Sequence, residues 1–209
     1  VTFLELCKRL RQECGGSGSG PPSVTTATGE DRLWVDWIND AWLELQALRP
    51  DWYWMWEPAE ISVVAGTRTY ALASTTLRRD SLRLDGDPVS LIEWPVFERQ
   101  YGVPYVGSTR PTACSIRPDG NLVLATEPVE DGALAYEHYR VPVPMAGNDE
   151  APTLPARYHL LLVCDGMRKY GFYDNAPEVL QRGDIEYQRM LARLARDTMS
   201  RVNVPGPLA

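Results

Sequence analysis

Apolar positions recur every three to four residues over residues 2–14, where Phe3, Leu6, Cys7, Leu10 and Cys14 share one face and predict a helix. Thr2 with Glu5 three residues on reads as a capping box, and Gly15-Gly16 stops the run. Residues 15–28 are Gly, Ser, Pro and Thr with almost no large side chain, which predicts a flexible or extended loop. The next stripe is the strongest in the chain. Trp34, Trp37, Ile38, Ala41, Trp42, Leu45 and Leu48 predict a helix over residues 30–48, with Thr28 as its cap and Pro50 as its end. Trp52-Tyr53-Trp54-Met55-Trp56 follows, so Trp34, Trp37, Trp42, Trp52, Trp54 and Trp56 all fall within residues 34–56. Each buried Trp removes roughly 150–250 Å² from water, so this region reads as the main core. No regular element points five bulky neighbours inward, however, and some of residues 52–56 are expected to meet a second surface such as a subunit contact.

The period then switches to two. Residues 61–64 and 68–72 flank Ala65-Gly66-Thr67 as one predicted hairpin, and residues 82–84 and 89–92 flank Asp85-Gly86-Asp87-Pro88 as another. Residues 112–117 and 121–125 surround the turn Pro118-Asp119-Gly120, and Leu134, Tyr136 and His138 alternate with Ala135, Glu137 and Tyr139. Residues 94–101 fit a short helix. Residues 142–155, with four prolines, read as a linker. Helical spacing returns with Tyr158, Leu161, Leu162, Met167 and Tyr170 over residues 156–173, tolerating Gly166. It continues over residues 177–201, where Leu180, Tyr187, Met190, Leu191 and Leu194 oppose Arg182, Arg189, Arg193, Arg196 and Arg201. The expected class is α+β: a four-helix bundle from residues 1–56 and 156–201, an antiparallel β lobe inserted at residues 57–155, and an extended tail at residues 202–209.

Composition narrows the chemistry. At 209 residues, 44% hydrophobic and 23% charged, the chain is an ordinary globular sequence, and disorder is excluded for most of it. No apolar run exceeds five residues, against the roughly 20 of a spanning helix, so no membrane partner is expected. The first ten residues lack a basic start followed by an apolar stretch, which predicts no secretory signal and work in the cytosol or in an assembly made there. The net charge of −7 is uneven: residues 1–56 carry 5 basic and 8 acidic side chains, residues 57–155 carry 8 and 14, and residues 156–201 carry 8 and 6. An acidic middle disfavours nonspecific nucleic-acid binding, which rests on Lys and Arg displacing counterions from phosphates. The arginines of the last segment suit pairing with carboxylates at a protein interface or a solvated helix face.

Candidate sites are few. Cys7, Cys14, Cys114 and Cys164 form no CxxC pair and read as buried thiols, and His138 and His159 have no metal-ligand spacing, so no metal or cofactor is expected. The glycine-rich loop fits neither dinucleotide nor phosphate-loop patterns. Paired carboxylates at Asp85, Asp87 or Glu137 keep a hydrolase reading open, although Asp-Gly-Asp-Pro is the composition of a turn.

The stretch from Thr28-Gly29-Glu30-Asp31-Arg32-Leu33-Trp34 through Trp37-Ile38-Asn39-Asp40-Ala41-Trp42-Leu43-Glu44-Leu45-Gln46, with Trp52-Tyr53-Trp54-Met55, resembles the tailed-phage head-to-tail adaptor (head completion, connector) proteins. The opening Phe3-Leu4-Glu5-Leu6-Cys7 and the segment around Val64-Ala65-Gly66-Thr67 are also similar to it. The resemblance implies a noncatalytic virion protein of the neck, assembled in host cytoplasm as a dodecameric ring. Such a ring binds the portal, joins the capsid to a downstream neck or tail protein, and lets DNA pass without specific binding. It places the portal contact on Arg193, Arg196, Arg201, Val202, Val204 and Leu208. The six clustered tryptophans would serve the core and subunit contacts. Arg49-Pro50 and the glycine-rich first loop depart from the family pattern. A stopper or tail-completion protein of the same neck is the alternative.

Overall fold

The computed structural model describes residues 1–74, 77–78, 81–103 and 110–198. The class is α+β, with five α-helices and two four-stranded sheets among these residues. The chain divides into two units. The described parts of Val1–Arg49 and Pro142–Ala209 form a helical unit, and those of Pro50–Val141 form a strand unit. Residues 50–56 thus group with the strands, and residues 142–155 with the helices.

In the helical unit α1 spans Phe3–Glu13 and α2 spans Glu30–Leu48. The Thr2 backbone N–H donates to the Glu5 carboxylate at 2.8 Å, and the Glu5 N–H donates back to the Thr2 hydroxyl, so the expected capping box forms. Thr28 does not cap α2. The cap position is Gly29 at φ +58°, a left-handed turn that suits glycine and differs from the extended backbone of a side-chain cap. The single helix expected over residues 156–173 is a 3-10 turn, Ala156–Tyr158, followed by α4, Leu160–Tyr173. The last helix, α5, runs Pro177–Thr198. The third helix, α3 (Trp94–Tyr101), is in the strand unit.

Helix α4 packs against α1, α2 and α5, and glycine sets the spacing. A Cβ on Gly166 would come within 2.6 Å of Leu10 on α1, and one on Gly171 within 2.9 Å of the Leu180 backbone on α5. A Cβ on Gly183 would meet the Cys164 carbonyl at 2.9 Å. Gly166 is therefore a contact point, beyond being tolerated in the helix.

The glycine-rich loop and the proline-rich segment both lie along helices of this unit. A Cβ on Gly16 would strike the Arg11 side chain at 2.6 Å and one on Gly20 the Lys8 side chain at 3.2 Å, so glycine lets the loop lie against α1. The segment over residues 142–155 is a strap. Asn39 exchanges two hydrogen bonds with the Met145 backbone at 2.9 and 3.0 Å, and Gln46 two with Val143 at 3.0 and 3.2 Å. Val143 and Met145 alternate with Pro142 and Pro144, and side-chain amides on a helix pair with their backbone groups without a sheet.

In the strand unit β1 (Trp56–Val63) pairs antiparallel with β8 (Gly132–Tyr139), whose other edge holds β3 (Arg83–Leu84) and then β4 (Asp87–Pro88). The second sheet runs β2 (Thr69–Ala71), β7 (Asn121–Leu124), β6 (Ala113–Ile116), β5 (Ser90–Leu91), with β5 parallel to β6. Helix α3 spans Trp94–Tyr101 as expected. The hairpin expected around Ala65-Gly66-Thr67 does not form. A turn is present there, with Thr67 N–H donating to the Val64 carbonyl at 3.0 Å, but β1 and β2 leave it for different sheets. The second expected hairpin is tighter than its pattern, β3–β4 turning at Asp85 (φ +47°) and Gly86 (φ +92°), while residues 90–91 join the other sheet. The β6–β7 hairpin matches expectation, as does the β8 alternation with Leu134, Tyr136 and His138 inward. Leu84, Leu122, Leu124, Leu134 and Tyr136 form the centre of this unit's core.

Candidate functional site

The six clustered tryptophans separate by exposure. Trp34, Trp42, Trp52 and Trp54 are buried, Trp37 is half-buried, and Trp56 is 43% exposed. In the strand unit Trp52 stacks on Trp54 at 4.3 Å, while Tyr53 and Trp56 face outward. Residues 52–56 thus split between interior and surface, as their crowding requires.

In the helical unit the tryptophan stripe meets the end of α4. Trp34 lies 5.3 Å from Tyr170, and Trp37 stands edge-on to Trp34, Tyr170 and Tyr173 at 5.1, 5.9 and 5.5 Å. These rings, with Leu33, line an open cavity of about 540 Å³ carrying Glu30 and Asp174 at its sides. The Tyr170 hydroxyl donates to Asp174 at 2.6 Å, which pushes the phenol's pKa up to about 12. Just beyond, Tyr173 is 68% and Phe172 76% exposed. Aromatic side chains left outward in this way are the residue type that anchors protein interfaces.

Helix α5 presents charge. Only Gly183 and Leu194 of it are buried, and Gln181, Arg182, Ile185, Gln188, Arg189, Ala192, Arg193 and Arg196 are exposed on one face. Arg193 and Arg196 of the expected portal contact lie on this face. Arg201, Val202, Val204 and Leu208 lie outside the described residues.

The carboxylates of the hydrolase reading are held by arginines. Arg110 reaches Asp85 and Asp87, each at 2.8 Å, and Asp85 also accepts from the Ala133 N–H at 2.7 Å. Glu137 is kept below the usual carboxylate range by hydrogen bonds from Trp56 and Arg78. For Glu137 that shift opposes general-acid work, which needs the proton retained near neutral pH. The carboxyl raised above its usual range is Asp165 on α4, because it is buried, and Arg168 (2.7 Å) and Lys169 (3.8 Å) surround it. Arg168 also reaches Asp184 on α5 at 3.1 Å and lies over the Tyr187 ring. This network joins α4 to α5, and an Asp within an apolar run was its only sequence signal. Burial raises the thiols of Cys7, Cys14 and Cys114 to about 12 and that of Cys164 to about 11. His159 sits between the Leu154 and Val1 carbonyls at 2.8 and 3.2 Å. Among the described residues no group of three His, Cys, Asp or Glu is placed to hold a metal, and no helix is long and apolar enough to cross a membrane.

Outward aromatics, arginine-held carboxylates and an amphipathic terminal helix describe a structural component that works through contact surfaces. The family model of the SU10 adaptor protein matches residues 1–209, and the chain belongs to that family of phage head-to-tail adaptors. It is a phage structural adaptor, a component of the virion neck. Comparison with curated proteins gives no match.

Proposed function

We propose that this adaptor assembles head-to-tail into a ring, dodecameric as the family resemblance implies, that docks on the portal and joins the capsid to the next neck or tail protein. The observation that carries the reading is the pair of outward aromatics of the helical unit, Phe172 and Tyr173, beside the half-buried Trp37, in a chain of this family. Contacts between unlike faces close into rings when the rotation between copies closes. Helices α1, α2, α4 and α5 act as a four-helix bundle, with the strand unit inserted in sequence between α2 and α4. Trp34, Trp42, Trp52 and Trp54 serve the core, and Trp37 and Trp56 serve subunit contacts. The end of α5 and the tail, with Arg193, Arg196, Arg201, Val202, Val204 and Leu208, engage the portal. DNA passes through the ring without specific binding, since a net charge of −7 offers few phosphate contacts.

Purified chain mixed with portal tests this by mass photometry and negative-stain imaging. The expected result is a ring seated on the portal, lost when residues 199–209 are deleted. Full binding by the truncated chain overturns the portal role of the tail. Density one layer below the portal reassigns the chain as a stopper.

A further inference from the structure

We infer that the aromatic cavity between the start of α2 and the end of α4 is a binding site for a guanidinium group, the side chain of an arginine that a partner protein of the neck presents. The inference rests on the joining role proposed above and adds to it the chemistry of one contact. Trp34 and Trp37 line the cavity from α2, and Tyr170 and Tyr173 from α4. Glu30, in the first turn of α2, and Asp174, the C-cap of α4, add two carboxylates. At about 540 Å³ the space falls within the roughly 300–1,000 Å³ of sites that enclose small groups.

Charge decides the occupant. Asp85, Asp87, Glu137 and Asp165 each have an arginine within 2.8 Å, whereas no basic side chain pairs with Glu30 or Asp174 among the described residues. The Tyr170 hydroxyl feels both acids. Its hydrogen bond to Asp174 does most to raise its pKa, and burial and the charge of Glu30 add to it, so the two carboxylates flank the same space. The carbonyl end of α4 contributes further negative potential there, while the amide end of α2 is met by its own Glu30 and Asp31. An anion is repelled from such a site, and an apolar occupant would cover two charges without pairing them. A cation pairs with the acids and lies against the rings, and the flat, weakly hydrated guanidinium does both better than an ammonium. Each copy of this chain carries a net charge of −7 and holds Arg9, Arg32, Arg110, Arg117 and Arg157 on its own carboxylates, which favours a different protein as the source.

The full chain is titrated with N-acetyl-arginine amide, with N-acetyl-citrulline amide as its uncharged isostere and 1,4-diaminobutane as a free diamine, and binding is read by ligand-detected NMR. The arginine probe is expected to bind saturably with a roughly millimolar Kd, and the other two at least about tenfold more weakly. Glu30→Gln with Asp174→Asn keeps both side-chain lengths and the acceptor for Tyr170, and Tyr173→Leu removes an exposed ring. Both variants are expected to keep their helicity by circular dichroism, the first binding the arginine probe about tenfold more weakly and the second about threefold. Absence of saturable binding, equal binding of the citrulline probe, tighter binding of the diamine, or undiminished binding by the carboxylate variant overturns the inference. Loss of ring assembly by the carboxylate variant in mass photometry places the arginine on a second copy and overturns the partner assigned here. A wild-type chain that binds the arginine probe as expected but does not dock on the portal upholds the site while the portal reading falls.

Discussion

The helical unit and the strand unit solve the same problem by different means. Long helices meet in the first, and glycine at Gly166, Gly171 and Gly183 lets side chains and backbone approach closely, so stability comes from continuous apolar burial. In the second, β2 to β7 are two to four residues long and bury little each. Arginines hold the segments between them. Arg68 donates to the carbonyls of Leu124 and Tyr101, both at 2.6 Å, and its guanidinium lies 6.0 Å from the Phe97 ring. Arg110 bonds the Leu84 carbonyl, and Arg140 that of Trp54 at 3.2 Å. Burial can be dense only where elements are long; where they are short, charged donors satisfy the carbonyls that no ladder reaches.

Deletion mutants break the comparison most sharply. Trp34→Ala on α2 is expected to cost about 4 kcal/mol in chemical denaturation, because it empties a fully buried site. Gly171→Val comes next at about 3 kcal/mol, since its side chain must displace the Leu180 backbone, with loss of helicity near the α4–α5 turn as the second readout. In the strand unit the largest single loss is expected at a polar group: Arg68→Met keeps the length and leaves two carbonyls unpaired, costing about 2 kcal/mol.

The thiols sharpen the comparison by a smaller effect that both units share. Folding raises Cys7, Cys14 and Cys114 from 9.0 to about 12, so the unfolded chain releases protons first as pH rises. Their contribution is complete below pH 9.0 and is lost as pH climbs toward 12, by about 1.4 kcal/mol per pH unit for each thiol. Cys114→Ala should reduce that alkaline slope by one thiol's share, measured as denaturation midpoints across the range.

What the sequence reveals here follows the range of the interactions. Both N-terminal helices, the Thr2–Glu5 box, the β6–β7 hairpin and the alternation of β8 are local patterns and were readable as such. The partner of β1 was not, because β8 lies about seventy residues further on, and a real turn at Val64–Thr67 imitates a hairpin. The parallel docking of β5 was hidden for the same reason. Of the candidate surface, the surplus of aromatics was visible, but which rings face outward was not: Trp37 and Trp42 share a stripe, and only packing against Tyr170 and Tyr173 separates them. Arg68 carried no pattern at all.

The two amides that Gln46 and Val143 exchange have a consequence for modularity. Gln46 is three residues from the last residue of the helical unit before the strands, and Val143 is the second after them. The departure and the return of a ninety-residue excursion are thus stapled to one turn of one helix. Closing the chain between these two residues therefore spans one small gap, whose loop entropy is modest.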